Sequence, residues 1–291
     1  MICNKQIYFN VNPLQRAVKS GIKMNKNILI VDDHDDLATL LTQEFTKSGH
    51  RVKILENRGS AVELLERKEF DVVITDLDGE YLCAPENGTD THCLPDAPED
   101  PQRSSVKAFK ICISNYDKDK FTEDDLKFFV ETTLDNKAKC VDKKELIQEL
   151  HEKIEFEVPS VISLMHSILD YLMKRVEKVG VINPETSNLF VALDEAFVNA
   201  VKHGNKFDAN KLVRITADVS PEEARFTIED EGDGFNVAEI PDPLDPQNLF
   251  KASGRGVLFI YNIMDEVKYN ERGNRLTMVK RKNHPTTIEK A

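Results

Sequence analysis

At 291 residues, with 40% hydrophobic and 31% charged positions, the chain has an ordinary globular composition and length enough for two separate cores. A formal charge of -12, with no segregated basic patch, argues against general affinity for nucleic acid, whose phosphates would be repelled. The cysteines Cys3, Cys83, Cys93, Cys112 and Cys140 show no CxxC spacing and suit a reducing cytoplasm, and no apolar run is long enough for a membrane span or a signal peptide.

Residues 1–24 are expected to form an N-terminal extension, because Met24 directly precedes the first strand pattern. From Asn27, NILIVDD is a short apolar run ending in paired acids, which predicts a buried parallel strand. Leu37, Leu40, Leu41 and Phe45 then recur at helical spacing, and Gly49 closes the helix. RVKIL predicts a second strand, AVELLERKEF a helix, and DVVITD a third strand with Asp76 at its carboxyl end. Residues 79–105, rich in Pro, Asp, Asn and Gly, read as a mobile loop in place of a helix. Within it Cys83, His92 and Cys93 lack a fourth ligand, which argues against a zinc site. KICIS, EDDLKFFVETTL, AKCV and KKELIQELHE continue the alternation, so 25–152 is expected to be a doubly wound α/β domain with functional groups at the strands' carboxyl ends.

No Gly/Ser linker follows, and IEFEVP alternates as a strand almost directly after the preceding helix. Next come the helix SLMHSILDYLMKRVEK and a long helix opened by Asn183 and Pro184 and stopped by Gly204. LVRITADV and ARFTIED, joined by SPEE, form a strand pair; GVLFIYNIMDEV is a short helix, and KYNERGNRLTMVKR a final hairpin. Residues 153–283 are therefore expected to be an α+β sandwich with helices on one side of a mostly antiparallel sheet, and 284–291 a tail.

On the long helix Glu195, Asn199 and His203 stand four apart and share one face, opposite a stripe of Phe190, Leu193, Phe197 and Val201. Alone, such a face is an ordinary solvated one. Two later stretches change its weight. DEGDGF ends a strand: Asp230 can accept a hydrogen bond from an amino group such as adenine's, while Gly232 and Gly234 let backbone approach a flat ring. SGRG places Gly254 and Gly256 at a helix start, where free N–H groups favour phosphate, and Arg255 adds charge. The chain contains no GxxxxGK[ST], and GRGVLF lacks the third glycine of a dinucleotide fingerprint.

The order ExxxNAxxHGN, DEGDGF, SGRG resembles the N, G1 and G2 boxes of the GHKL ATPase superfamily, in the compact form of bacterial anti-sigma-factor serine kinases. That resemblance implies ATP and Mg2+ as cofactors. It further implies Asn199 as a magnesium ligand, Asp230 as the adenine contact, and Gly232, Gly234, Gly254 and Gly256 as shaping the pocket, with Arg255 nearby. Glu195 would be the catalytic base for a partner's serine or threonine hydroxyl. His203 has two equal readings, nucleotide contact or structural residue near the helix end.

In the first half, Asp32, Asp33 and Asp76 can share one sheet edge, an arrangement a hard divalent cation makes tolerable. With Ser114 and Lys143 they resemble a response-regulator receiver domain, which implies phosphorylation at Asp76, magnesium at Asp32, Asp33 and Asp76, and phosphoryl contacts from Ser114 and Lys143. Lys144 replaces the proline usual after that lysine and Cys140 the usual switch aromatic, which puts the customary output mechanism in doubt. The combined reading is a cytoplasmic partner-switching protein. Its expected partners are an upstream sensor histidine kinase and an anti-sigma-antagonist-like protein, with a sigma factor as a further candidate. A homodimer is compatible with the family, and neither nucleic acid nor membrane is an expected partner. Two rivals remain: a nucleotide-dependent sequestration module without kinase activity, and a histidine kinase. The second is weakened because His166 lies among apolar neighbours on its helix.

Overall fold

The computed structural model describes residues 25–34, 36–78, 106–113, 121–142, 151–183, 187–237 and 255–282. The N-terminal part begins as expected, with β1 (Asn27–Asp32), α1 (Asp36–Lys47), β2 (Arg51–Leu55), α2 (Arg58–Leu65) and β3 (Val72–Asp78). β1 lies between β2 and β3 and is parallel to both. β1 and β3 form because their Ile, Leu and Val side chains are buried on both faces, the edge strand β2 is only half-buried, and α1 buries the Leu37, Leu41, Phe45 stripe. Asp32 and Asp76 are direct partners in the β1–β3 register, so two acids sit side by side near the strands' carboxyl ends.

Beyond β3 the parallel grammar breaks. β4 (Val106–Cys112) runs antiparallel to β3, with Asp76 opposite Phe109 and Val73 opposite Cys112, where the sequence predicts another parallel strand. AKCV, expected as a strand, is the last part of one long helix, α3 (Glu123–Asp142). A capping box starts that helix: Thr122 Oγ1 accepts from Asp125 N–H, and Asp125 Oδ2 accepts from Thr122 N–H. No Gly or Pro interrupts it, and Leu126, Phe129, Val130, Thr133, Leu134, Lys137 and Cys140 continue one buried stripe past the four-residue apolar run.

β5 (His151–Pro159) pairs parallel to β4 on one side and antiparallel to β6 (Leu212–Val219) on the other. β7 (Glu223–Asp230), β9 (Arg275–Arg281) and the edge strand β8 (Glu266–Tyr269) complete the antiparallel part. Over its helical face lie α4 (Met165–Val179), α5 (Leu189–Asn199) and α6 (Arg255–Ile263), as the α+β expectation requires. Among the described residues the strands form one nine-stranded sheet in the order β2-β1-β3-β4-β5-β6-β7-β9-β8. The expectation of two separate cores is replaced by one principal core, from Ile28 and Phe45 through Phe109 and Phe156 to Phe226 and Met278. A small second cluster under α2, including Leu29, Val31, Phe70 and Cys112, covers the other face of the N-terminal strands. The expected boundary at 152/153 falls inside β5, the strand that joins the two parts. No helix among the described residues is long and apolar enough to cross a membrane.

Candidate nucleotide site and acid cluster

α5 buries Leu189, Ala192, Leu193, Ala196 and Phe197, a spacing that turns Glu195 and Asn199 away from the core. The helix starts at Leu189, later than the Asn183–Pro184 start read from sequence; 184–186 fall outside the described residues. Past Asn199 the chain widens into a π turn over Ala200–Gly204, with Asn205 N–H donating to the Ala200 carbonyl five residues back. Glu195, Asn199 and His203 line a cavity of about 640 Å³, together with Asp230, Gly234 and Gly256.

Asp230 ends β7 and is only 8% exposed. Its carboxylate accepts the Gly232 N–H at 2.8 Å, and its backbone is held by Asn274, whose Nδ2 donates to the Asp230 carbonyl. Burial pushes the Asp230 carboxyl above its ordinary value, against the opposing pull of the Gly232 N–H and the Arg272 guanidinium. The glycines around it have steric reasons. A Cβ at Gly204 would collide with the Asp230 carboxylate, and one at Gly232 with the Gly204 carbonyl. Gly234 has φ +77°, and a Cβ there would strike the Arg272 carbonyl. Gly256, in the first turn of α6, leaves room for the Glu195 carboxylate to lie against that turn.

Several site residues have no role assigned to them by the sequence reading. Asn205 is buried and makes three bonds: its Nδ2 donates to Ser160 Oγ and the Leu212 carbonyl, and its Oδ1 accepts Glu231 N–H. It thereby ties the π turn to β5, β6 and the residue after Asp230. Its place directly after Gly204 in the HGN run was the available signal. Phe235, 44% exposed, meets Tyr269 edge to face with ring centroids 5.2 Å apart, and Ile228 and Leu276 add apolar lining. Burial first, and Tyr261 second, push the Tyr269 hydroxyl up to about 12. Gly254 and the side chain of Arg255 lie outside the described residues.

At the other end of the sheet, Asp32 Oδ1 accepts His34 N–H and Oδ2 accepts Ala38 N–H, so this buried acid caps the start of α1. Asp32, Asp33 and His34 offer ligand atoms within 4.8 Å of one another. Asp76 is paired with Lys137 of α3, Nζ to Oδ1 2.5 Å. Burial alone would lower the Lys137 ammonium, but Asp76 and Glu152 outweigh it and hold its pKa above the ordinary value. Ser114 and Lys143, the expected phosphoryl contacts, lie outside the described residues, and the antiparallel course of β4 carries its carboxyl end toward Val73 rather than Asp76. Lys137 belongs to none of the sequence motifs; its signal is a lysine on the apolar stripe of α3.

Comparison with known proteins agrees with this division. Residues 159–280 match the histidine kinase-like ATPase domain, and residues 28–78 match the response regulator receiver domain. The receiver match ends at the last residue of β3, where strand direction reverses. The chain belongs to the histidine kinase-like ATPase family. Within it, the chain is similar to serine-protein kinase RsbW of Bacillus subtilis, 30% identical over 148 residues that make up 47% of this chain and 92% of that protein. The Staphylococcus aureus RsbW is 26% identical over 142 residues, 46% of this chain and 89% of that protein. A solved structure of the RsbU and RsbW domains of a Mycobacterium tuberculosis protein aligns at 14% identity and a TM-score of 0.32; it covers 46% of this chain, which spans 33% of that one.

Proposed function

We propose that the chain is a partner-switching protein kinase whose ATPase half phosphorylates a serine or threonine on an anti-sigma-antagonist-like protein, under control of aspartyl phosphorylation at Asp76. The observation that carries this reading is the cavity in which Glu195, Asn199 and Asp230 converge. The similarity to RsbW kinases supports the reaction class, and the receiver match supports control by an upstream sensor kinase.

The residues present fit MgATP. The adenine end has a buried carboxylate acceptor in Asp230, glycine backbone packed against it, and aromatic and apolar walls from Tyr269, Ile228 and Leu276. At the other end Asn199 offers a neutral oxygen ligand for magnesium, and the first turn of α6 offers free N–H groups. Bound MgATP would supply the γ-phosphoryl group. Glu195 takes up the proton of the attacking hydroxyl, and its carboxylate is already on the cavity wall with no cation paired to it in the described ion pairs. In the receiver half, an Asp76 carboxylate oxygen would attack phosphorus as the donor's leaving group departs with the bonding electrons, and Asp32 and Asp33 would hold a magnesium ion that neutralises phosphoryl charge.

Calorimetry with magnesium and ATP tests the pocket: the native chain binds and Asp230→Asn does not. Transfer of labelled γ-phosphate to a candidate antagonist tests the reaction. If Glu195→Gln binds ATP and regulates its partner as well as the native chain does, the kinase reading fails and sequestration without transfer takes its place.

A further inference from the structure

Between the acid cluster and the nucleotide cavity lies a second set of buried charges that neither site uses. Lys137, whose ammonium is on Asp76, also stands 5.4 Å from the centroid of the Phe109 ring, which in turn meets Tyr171 of α4 at 5.9 Å. Beside Tyr171 is an ion pair, Arg175 Nε to Glu152 Oε2 at 2.7 Å, with side chains 4% and 1% exposed. Glu152 Oε1 and the Tyr171 hydroxyl are buried without a hydrogen-bond partner among the described residues. Charges this deep are seldom retained for stability alone, since a packed apolar pair of similar volume does as well or better. The second Glu152 oxygen is thus an acceptor without a donor among the described residues.

The fold connects this set to the cavity by two rigid routes. Glu152 is near the start of β5, and Ser160 directly follows that strand, roughly 26 Å further on at ~3.3 Å per residue. Ser160 Oγ accepts from Asn205, which in turn holds Glu231 beside Asp230. Arg175 and Tyr171 belong to α4, which packs in the same core as α5, the helix carrying Glu195 and Asn199.

The geometry points to a charge relay, Asp76–Lys137–Glu152–Arg175, through which the phosphorylation state of Asp76 sets nucleotide affinity about 26 Å away along β5. Added negative charge on an Asp76 phosphate holds Lys137 more strongly, withdraws its field from Glu152, and leaves Glu152 to Arg175 alone. Release of the phosphate lets Glu152 compete for Lys137, which shifts Arg175 and the helix that bears it. In the sheet register Asp76 is opposite Phe109 and Phe109 is opposite Ile154, two residues along β5 from Glu152, so Asp76, the Phe109 ring under Lys137 and Glu152 share one face of the sheet. The relay rests on the proposed control of the ATPase half by Asp76.

The experiment uses the full chain with magnesium, acetyl phosphate as phosphodonor and a non-hydrolysable ATP analogue. Analogue affinity is measured by calorimetry before and after phosphorylation, and occupancy by intact-protein mass spectrometry. The native chain is expected to change affinity by about 5-fold or more, within the usual range of coupling between sites. Glu152→Gln, and the paired change Glu152→Met with Arg175→Met, which removes the buried charges together, are expected to hold that ratio within about 2-fold at equal phosphate occupancy. A native-sized shift surviving in the paired variant overturns the relay and leaves control by Asp76 standing. No shift in the native chain at full occupancy overturns both. A folded paired variant that binds no analogue also counts against the relay, which assigns these charges to coupling and not to the pocket.

Discussion

Asp76 and Asp230 both lie at the ends of strands in one sheet, yet the fold treats them oppositely. Asp76 has a lysine ammonium brought to it from α3, at 2.5 Å. Among the described residues Asp230 has only a backbone N–H from Gly232 as a direct donor to its carboxylate, with the Arg272 guanidinium bonded instead to the Gly232 carbonyl. Burial raises its pKa, so the ionised form that the proposed nucleotide binding calls for is held at a cost to the folded state. An acid compensated by a cation is a place for charge to be changed and read. An acid left with few partners is a place for a ligand to complete.

The strongest way to break that comparison is at Glu195, the other cavity carboxylate. Glu195→Gln keeps shape and removes the base, so phosphoryl transfer is expected to fall by roughly 10²- to 10⁴-fold while ATP affinity stays within about 2-fold. Single-turnover transfer and calorimetry on the same preparation check both numbers. Equal transfer by the variant would make Glu195 a wall residue and nothing more.

Lys137→Met addresses the compensated acid. Removing the ammonium from beside a largely buried carboxylate is expected to cost about 3 kcal/mol in urea unfolding at neutral pH. The folded pKa of Lys137 is raised, so its contribution is fully present below the ordinary 10.5 and is lost only as pH rises through the higher folded value. The native and variant curves should therefore stay apart across the neutral range and converge only in strong alkali. If they coincide at neutral pH, the Asp76–Lys137 contact is incidental to the fold.

Asn205→Ala is expected to cost about 2 kcal/mol, because it leaves Glu231 N–H and the Leu212 carbonyl without their side-chain partner. It should also weaken ATP binding, since the turn after Asp230 loses its brace. Retained affinity at reduced stability would confine Asn205 to the scaffold.

These sites were not equally legible. The residues that line the cavity could be read because each motif is local: four-residue spacing on one helix, and glycines next to an acid at one turn. The acid pair Asp32 and Asp76 was also legible, since short apolar runs ending in acids fix where parallel strands deliver their side chains. What sequence withheld was long-range. Four residues, AKCV, fit strand or helix equally, and only the uninterrupted stripe from Leu126 to Cys140 decides for α3. The antiparallel turn of β4 depends on which neighbour it finds, not on its own alternation. With that turn a lysine on a helix, Lys137, reaches Asp76, and the strands of the two expected domains join in one sheet.

The smallest effect sharpens the comparison most. Asp230→Asn preserves size and an acceptor for the Gly232 N–H, but removes a charge the folded chain holds at a disadvantage. A folded pKa above the ordinary 3.8 means that protonated Asp230 favours the fold; this stability is fully present below 3.8 and is lost as pH rises through the folded value. At neutral pH the variant should therefore melt no lower than the native chain, with a gain under about 1 kcal/mol, while nucleotide binding disappears. Below the ordinary value the two melting curves should meet. Native ATP affinity should also decline in acid sooner than an ordinary aspartate would allow, because a proton removes the acceptor that adenine needs. A clear loss of stability in Asp230→Asn at neutral pH would mean that Asp230, like Asp76, is a compensated structural acid, and the distinction between the two ends of the sheet would fall.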